Sequence, residues 1–426
     1  MPMERHERVA DSSRVEPVLA EVGAGFMLRY TIASFGLFLA VMTPVTITMA
    51  IRVAELDPTG KAASLGFILG AGALVAMVAN PLFGQLSDRT RSRFGRRRPW
   101  MFGGLLVGVA GLAGIGASPS LWWVGVLWCV VQAGLNATLS ALVAVIPDRV
   151  PEQQRGRVSA FYGMSSNVAV FSGAAIVDLV GAEGMAMFLV PALIGLGCML
   201  LFALRYPEPE VARLAPPKPF SMLAMLRDFW LDPRQHPDFA WAWVSRFLLF
   251  IGGAMLMTYQ VYYLTDVLGI DALNIGRRVF VSSLVMGGCM MLASFISGWL
   301  SDRSRRRKPF VLFAGLVYAA GLGILTVASS FSGFLAAIVV SSLGFGVYLA
   351  VDQALVVDIL PNREQDAAKN MGILNIANAA PQSLAPAVAP LFLAIGGGGN
   401  YVALFITAAG LALVGALAIL PVKGVR

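Results

Sequence analysis

Four carboxylates interrupt long apolar stretches of this chain, where a charge is costly: Asp178, Asp266, Asp352 and Asp358. An ionisable side chain at membrane depth faces a cavity or a partner, so it marks a site. Asp178 and Asp266 fall at the ends of their stretches, within reach of water, and Asp358 stands three residues before Pro361 at the opposite kind of end. Asp352 lies about 8 Å by helical rise from the middle of its stretch, still inside the hydrocarbon. Burial disfavours the charged form of a carboxylate, which makes Asp352 the candidate for taking up and releasing a proton. The alternative is a structural ion pair, with Arg29 or Arg246 as partner.

Neutral polar side chains form a second set. Gln132 and Asn136, Tyr162 and Asn167, Tyr259, Gln260 and Tyr263, Gln353, and Asn375, Asn378 and Gln382 all fall within apolar runs. Amides donate and accept hydrogen bonds at once, which suits a neutral, hydroxyl-rich ligand such as a sugar. Each amide equally suits a hydrogen bond between helices. Trp122, Trp123 and Trp128 offer aromatic faces, although Trp122 and Trp123 also fit an interfacial belt. Nothing in the set does covalent chemistry. The two histidines, His6 and His236, lie outside the apolar runs, and Cys129, Cys198 and Cys289 are scattered singly. We therefore expect no catalytic residue, no metal, no disulfide and no cofactor.

The elements that must hold these residues follow from hydropathy. The chain is 57% hydrophobic and 13% charged over 426 residues. Apolar runs of about 20 residues each span the roughly 30 Å of a bilayer core. They occur at 26–51, 63–83, 99–118, 120–146, 157–179, 185–205, 239–266, 274–300, 309–329, 331–359, 370–395 and 400–421. Without strict alternation they predict twelve membrane helices and an all-α integral membrane protein. Arg52, Lys61, Arg277 and Arg278 are the basic residues of one set of loops, and Arg29 and Arg246 sit at helix ends; the rest of the 32 Lys and Arg fall on the other side. That asymmetry predicts a multi-pass protein with both termini in the cytoplasm. It also assigns the net charge of +8 to topology and lipid contact, excluding a nucleic-acid partner.

Two phrases repeat half a chain apart. GQLSDRTRSRFGRRRPW at 84–100 is echoed by GWLSDRSRRRKPF at 298–310, so Gly84, Asp88 and Arg89 align with Gly298, Asp302 and Arg303. ALVAVIPDR (141–149) faces ALVVDILPNR (354–363), and Arg29-Tyr30 faces Arg246-Phe247. Three landmarks in one order predict two pseudo-symmetric six-helix halves, 1–205 and 239–426. A cytoplasmic linker at 206–238 joins them, with an amphipathic segment around Phe220, Leu223, Leu226 and Trp230.

The Gly-x-Leu-Ser-Asp-Arg phrases resemble the signature of the major facilitator superfamily, and the ending Arg-Phe-Gly-Arg-Arg-Arg-Pro at 93–99 resembles the glycoside–pentoside–hexuronide:cation and sucrose:proton symporters. The resemblance implies alternating access and a small-molecule substrate, a neutral sugar by this branch, carried by a bacterial inner-membrane monomer. It also implies a cytoplasmic latch of Gly84, Asp88 and Arg89 with Asp302 and Arg303, to which Arg149, Arg155 and Asp358 add candidate partners. Melibiose-type members carry acids in the second helix for sodium; the run ASLGFILGAGALVAMVANPLFG has none, so the coupling ion is expected to be a proton. Efflux of an amphipathic drug or metabolite, and a sensor that does not transport, are the competing expectations.

Overall fold

The computed structural model describes residues 20–206, 208, 233–304, 306–359 and 367–423. Among the described residues, twelve helical rods run in chain order. The first half holds α1 (Ala24–Leu56), α2 (Lys61–Arg89), α3 (Arg98–Ala117), α4 (Leu121–Arg149), α5 (Glu152–Val180) and α6 (Ala186–Ala203). The second holds α7 (Pro237–Asp266), α8 (Ala272–Ser304), α9 (Lys308–Ile324), α10 (Phe331–Asp358), α11 (Ala367–Leu393) and α12 (Tyr401–Leu417). Among the described residues, nine rods are long and apolar enough to cross a membrane, and α9 and α12 are shorter apolar helices. The helices outrun the apolar runs at the arginine-rich end: α2 continues to Arg89 and α8 to Ser304. Hydropathy drops where a helix enters the polar interface, but its backbone hydrogen bonds do not stop there.

The duplication is visible in the packing. α1 packs on α5 and α6, as α7 packs on α11 and α12. α2 and α3 pack on α4, and α8 and α9 on α10, in the same way. The halves meet through α2 against α11 and α5 against α8, which are equivalent seams under the six-helix offset.

Small residues set how closely the rods approach, as helix pairs in lipid require. A Cβ on Gly104 would lie 2.4 Å from the Gly134 carbonyl oxygen, and one on Gly134 would lie 2.6 Å from that of Gly104. That reciprocal contact joins α3 to α4, and Gly36 and Gly195 do the same for α1 and α6. α1 is broken by a π-turn at Pro44–Thr48, where the proline removes one backbone donor from the ladder. Outside, Phe67, Trp122, Trp123, Phe295, Trp299 and Leu391 stand exposed, as lipid-facing surface does. The proposed amphipathic segment at 220–230 lies outside the described residues.

Candidate functional site

Between the halves lies a cavity of about 500 Å³, lined from mid-helix positions of both. Gln132 and Asn167 reach it from α4 and α5, and Gln382 from α11. Thr46, Ser166, Thr258, Ser283, Ser341 and Ser342 add hydroxyls. Phe38 and Trp128 form part of the wall in the first half, and Phe250, Tyr318 and Phe345 in the second. The described residues that line it carry no charge. Trp128 reaches its place because α2 has glycine opposite: a Cβ on Gly72 would come within 2.4 Å of the indole Cδ1.

A buried ion pair sits just beyond this cavity. Arg246 on α7 donates from Nε to Asp352 Oδ2 at 2.7 Å, a second guanidinium nitrogen contacts the same oxygen, and Arg246 Nη2 also donates to Gln353 Oε1 at 3.2 Å. Asp352 is 0% and Arg246 4% exposed. Arg246 is one turn from the cavity residue Phe250, and Asp352 two turns from Phe345. Those two rings meet edge to face, 5.3 Å apart. The Tyr348 hydroxyl neighbours the same carboxyl group, but neither it nor Asp352 Oδ1 has a well-formed hydrogen bond. A buried pair needs further hydrogen bonds to offset its desolvation, and this one has spare capacity on the carboxylate.

The halves are clasped at the end opposite the arginines. Lys61 at the start of α2 pairs with Asp266 at the end of α7, 2.6 Å apart. Asp266 also accepts from the Tyr401 hydroxyl at 2.7 Å. The Lys61 ammonium stands 5.0 Å from the Tyr262 ring centre, and the Tyr262 hydroxyl donates to the Ala50 carbonyl at 3.0 Å. Tyr259 donates to the Ala62 carbonyl at 3.1 Å. Gly66 allows the tightest approach, since a Cβ there would lie 2.2 Å from the Pro386 carbonyl oxygen.

At the arginine-rich end an ionic network ties together Asp88, Arg96, Arg97 and Asp148 of the first half. Arg97, 4% exposed, pairs with Asp88 at 2.6 Å and donates from Nε to Asp148 at 2.9 Å; Arg96 also pairs with Asp148, at 2.8 Å. Burial works against the Arg97 cation, but hydrogen bonding to Asp148 and the charges of Asp148 and Asp88 outweigh it and hold its pKa above the usual value. Glu208, at the start of the linker, accepts from the backbone N–H groups of Arg97 at 2.8 Å, Arg98 at 2.6 Å and Arg96. A carboxylate is well placed there, at the N-terminus of α3. Gly95 makes room for it with a φ of +98°, and a Cβ would overlap the carboxylate.

The Major Facilitator Superfamily model matches residues 25–297 and 279–425. The chain belongs to that superfamily. It is a multi-pass membrane transporter. A stretch of 51 residues is 51% identical to "Uncharacterized symporter sll1374" of Synechocystis sp., covering 12% of this chain and 9% of that one. Another, of 147 residues, is 31% identical to "Inner membrane transport protein YajR" of Escherichia coli, covering 34% and 29%. These matches thus span under a third of either relative. Among solved structures, a D-xylose-proton symporter superposes with a TM-score of 0.70 at 15% identity, covering 94% of this chain and 99% of that one. The nucleoside transporter NupG gives 0.72 at 13% identity, covering 92% and 98%. At such identities the likeness is one of fold.

Within this superfamily member the expected site residues are partly gathered and partly dispersed. Gln132 and Asn167 line the cavity. Asn136 stands behind it, donating to the Gln132 backbone carbonyl at 2.9 Å. Tyr162 packs on Phe38, 5.1 Å between ring centres, and so backs the wall. Gln260 is buried with its amide nitrogen unpartnered, and Asn378 keeps an unpartnered oxygen. Tyr259 and Tyr263 do not belong to the cavity. Tyr259 joins the clasp, while Tyr263 donates to the Leu325 and Ala328 carbonyls, at 2.9 and 2.7 Å. Both phenols satisfy their hydroxyls on backbone oxygens near helix ends. Gln353 attends Arg246 instead of the cavity.

The expected latch partners also change. Asp88 pairs with Arg97, whereas Arg155 donates to the Val150 carbonyl at 3.1 Å and lies 3.6 Å from Glu152. Among the described residues, Arg149 stands near Tyr206 and forms no ion pair with Asp88. Gly84 is not needed for close approach, since a Cβ would meet only Ser140 Cβ at 3.8 Å. Arg303 stacks over Trp299, 5.6 Å from its ring centre. The side chains of Asp302, Asp358 and Asn375 lie outside the described residues. Sequence reasoning missed the clasp and the cavity hydroxyls. A lone Lys61 in a loop gives no signal of its partner, and serines are too common in helices to stand out.

Proposed function

We propose that this transporter is a symporter carrying a small, uncharged, hydroxyl-bearing cargo, a sugar or glycoside, together with a proton exchanged at Asp352. The observation that carries the reading is an uncharged cavity between the halves with a buried, titratable ion pair one to two turns away. Amides and hydroxyls in the wall can match cargo hydroxyls in both directions, and a charged cargo finds no countercharge there. The arginine-rich end is the cytoplasmic one in this reading, with the linker and both termini beside it, and the bacterial inner membrane is its location. The clasp then closes the outer side, and this reading takes the clasped form as the one from which cargo and proton leave inward. Protonation of Asp352 would release Arg246 to Gln353 and change how α7 and α10 hold together, linking proton and cargo.

The methionines in the cavity (Met42, Met257, Met286 and Met290) favour a second reading, proton-driven efflux of an amphipathic molecule. The two readings separate in proteoliposomes with a pH indicator inside. Acidification of the lumen when one neutral sugar is added outside supports symport and names the cargo. No response across a sugar panel, with an imposed pH gradient still moving an amphipathic dye, rejects symport in favour of efflux.

A further inference from the structure

Between the cavity and the buried ion pair, α10 carries a phenol, Tyr348. Phe345, Tyr348 and Asp352 follow one another at steps of three and four residues, so they stand in a row along one face of the helix. Phe345 lines the cavity, and its ring stacks on that of Tyr348 with 6.1 Å between centres. The Tyr348 hydroxyl in turn neighbours the Asp352 carboxyl group. Tyr348 and Asp352 are both 0% exposed, so neither meets bulk water directly.

Two atoms in this row are left with spare bonding. Asp352 Oδ2 takes both contacts from Arg246, while Oδ1 and the Tyr348 hydroxyl each lack a well-formed hydrogen bond. The other tyrosines of this region do not behave so: Tyr259, Tyr262 and Tyr263 all donate to backbone carbonyls. A purely structural phenol would be satisfied in the same manner, since a buried polar atom without a partner is costly. Bonds that carry a proton are commonly long or misaligned at rest and tighten only when they act. We infer that Tyr348 relays protons between the cavity and Asp352. The inference rests on reading Asp352 as the proton-exchange site.

A hydroxyl can donate and accept at once, which is what a relay requires. The Tyr348 O–H bond breaks as its proton passes to Asp352 Oδ1, and a hydronium ion in the cavity gives the same phenol oxygen a new one. The phenol ends as it began, the hydronium has become water and the carboxylate has become a carboxylic acid. The charges acting on the phenol are those of Asp352 on its own helix and Arg246 on α7. α8 and α9 also pack on α10. They bring the Ser294 hydroxyl, which donates to the Gly346 carbonyl at 2.7 Å, and the Tyr318 ring, 5.0 Å from that of Phe345.

The test follows the proton on full-length protein in lipid nanodiscs, by the infrared carbonyl stretch that a carboxyl group gains when protonated. After a rapid drop in pH, wild type should show a carbonyl band that Asp352→Asn lacks. Tyr348→Phe keeps the ring and removes only the hydroxyl. The band should then reach full amplitude about a hundredfold more slowly, the lower end of what a positioned proton donor contributes. In mixtures of light and heavy water the wild-type rate should fall along a curve, the mark of two protons moving together, and the Tyr348→Phe rate along a straight line. That variant should melt no lower than wild type, because the hydroxyl it loses satisfies no partner. The absence of any band attributable to Asp352 overturns the relay together with the proton site. A wild-type rate in Tyr348→Phe, or a straight line in wild type, overturns the relay and leaves Asp352 as the proton site. A clearly lower melting temperature in Tyr348→Phe makes the hydroxyl a structural one and overturns the relay too.

Discussion

Replacing Lys61 with alanine should open the end of the molecule that the structure shows clasped. The change removes the 2.6 Å pair with Asp266 and the ammonium above the Tyr262 ring. The two side chains are 23% and 29% exposed, so their pairing is worth only about 0.5–1 kcal/mol, and the cation–π contact adds about 0.5–1 kcal/mol. Together that is about 1–2 kcal/mol, a factor of roughly 5–30 in the ratio of clasped to open forms. Spin labels at Thr59→Cys and Asp271→Cys, with Cys129, Cys198 and Cys289 replaced by serine, report the separation directly. A second, longer distance should appear or grow in Lys61→Ala, and the charge-reversed pair Lys61→Asp with Asp266→Lys should restore much of the short one. An unchanged distance distribution in Lys61→Ala would refute the clasp as a determinant of conformation.

Other consequences follow from the same geometry. Gly66→Ala places a Cβ where the Pro386 carbonyl now sits, so the same labels should report an opened end and cargo exchange should slow. Arg246→Gln strands a buried carboxylate and should cost about 3–5 kcal/mol, read as a lower melting temperature in detergent; the double variant with Asp352→Asn should be markedly more stable than the single one. Asp88→Asn loosens the Arg97 network and should lower turnover several-fold with cargo affinity little changed, as separated by initial rates over a concentration series.

Much of this architecture was legible in the sequence because lipid imposes it. Uninterrupted apolar runs must be helices, and repeated phrases must fall at equivalent places, so twelve rods in two halves could be read from the chain. Helix ends were not, because α2 and α8 continue past the drop in hydropathy. Asp352 stood out because an acid at that depth demands a partner, and its companion Arg246 was one of two arginines close enough to serve. Gln132, Asn167 and Gln382 were found in the same way. Tyr259 and Tyr263 misled because a phenol satisfied by a backbone carbonyl looks, in sequence, like one awaiting a ligand. The pairing of Asp88 with Arg97 was hidden for another reason. Arg97 is one of six arginines in seventeen residues, and only the turn at Gly95, held by Glu208, selects it.

The central claim is that cargo and proton move together through Asp352. The most direct test compares wild type with Asp352→Asn in proteoliposomes, using the cargo identified from the sugar panel. Two quantities are measured: accumulation driven by an inward proton gradient, and exchange of labelled for unlabelled cargo without any gradient. The account predicts that Asp352→Asn abolishes accumulation while exchange continues near the wild-type rate. Accumulation at the wild-type level in that variant would contradict it.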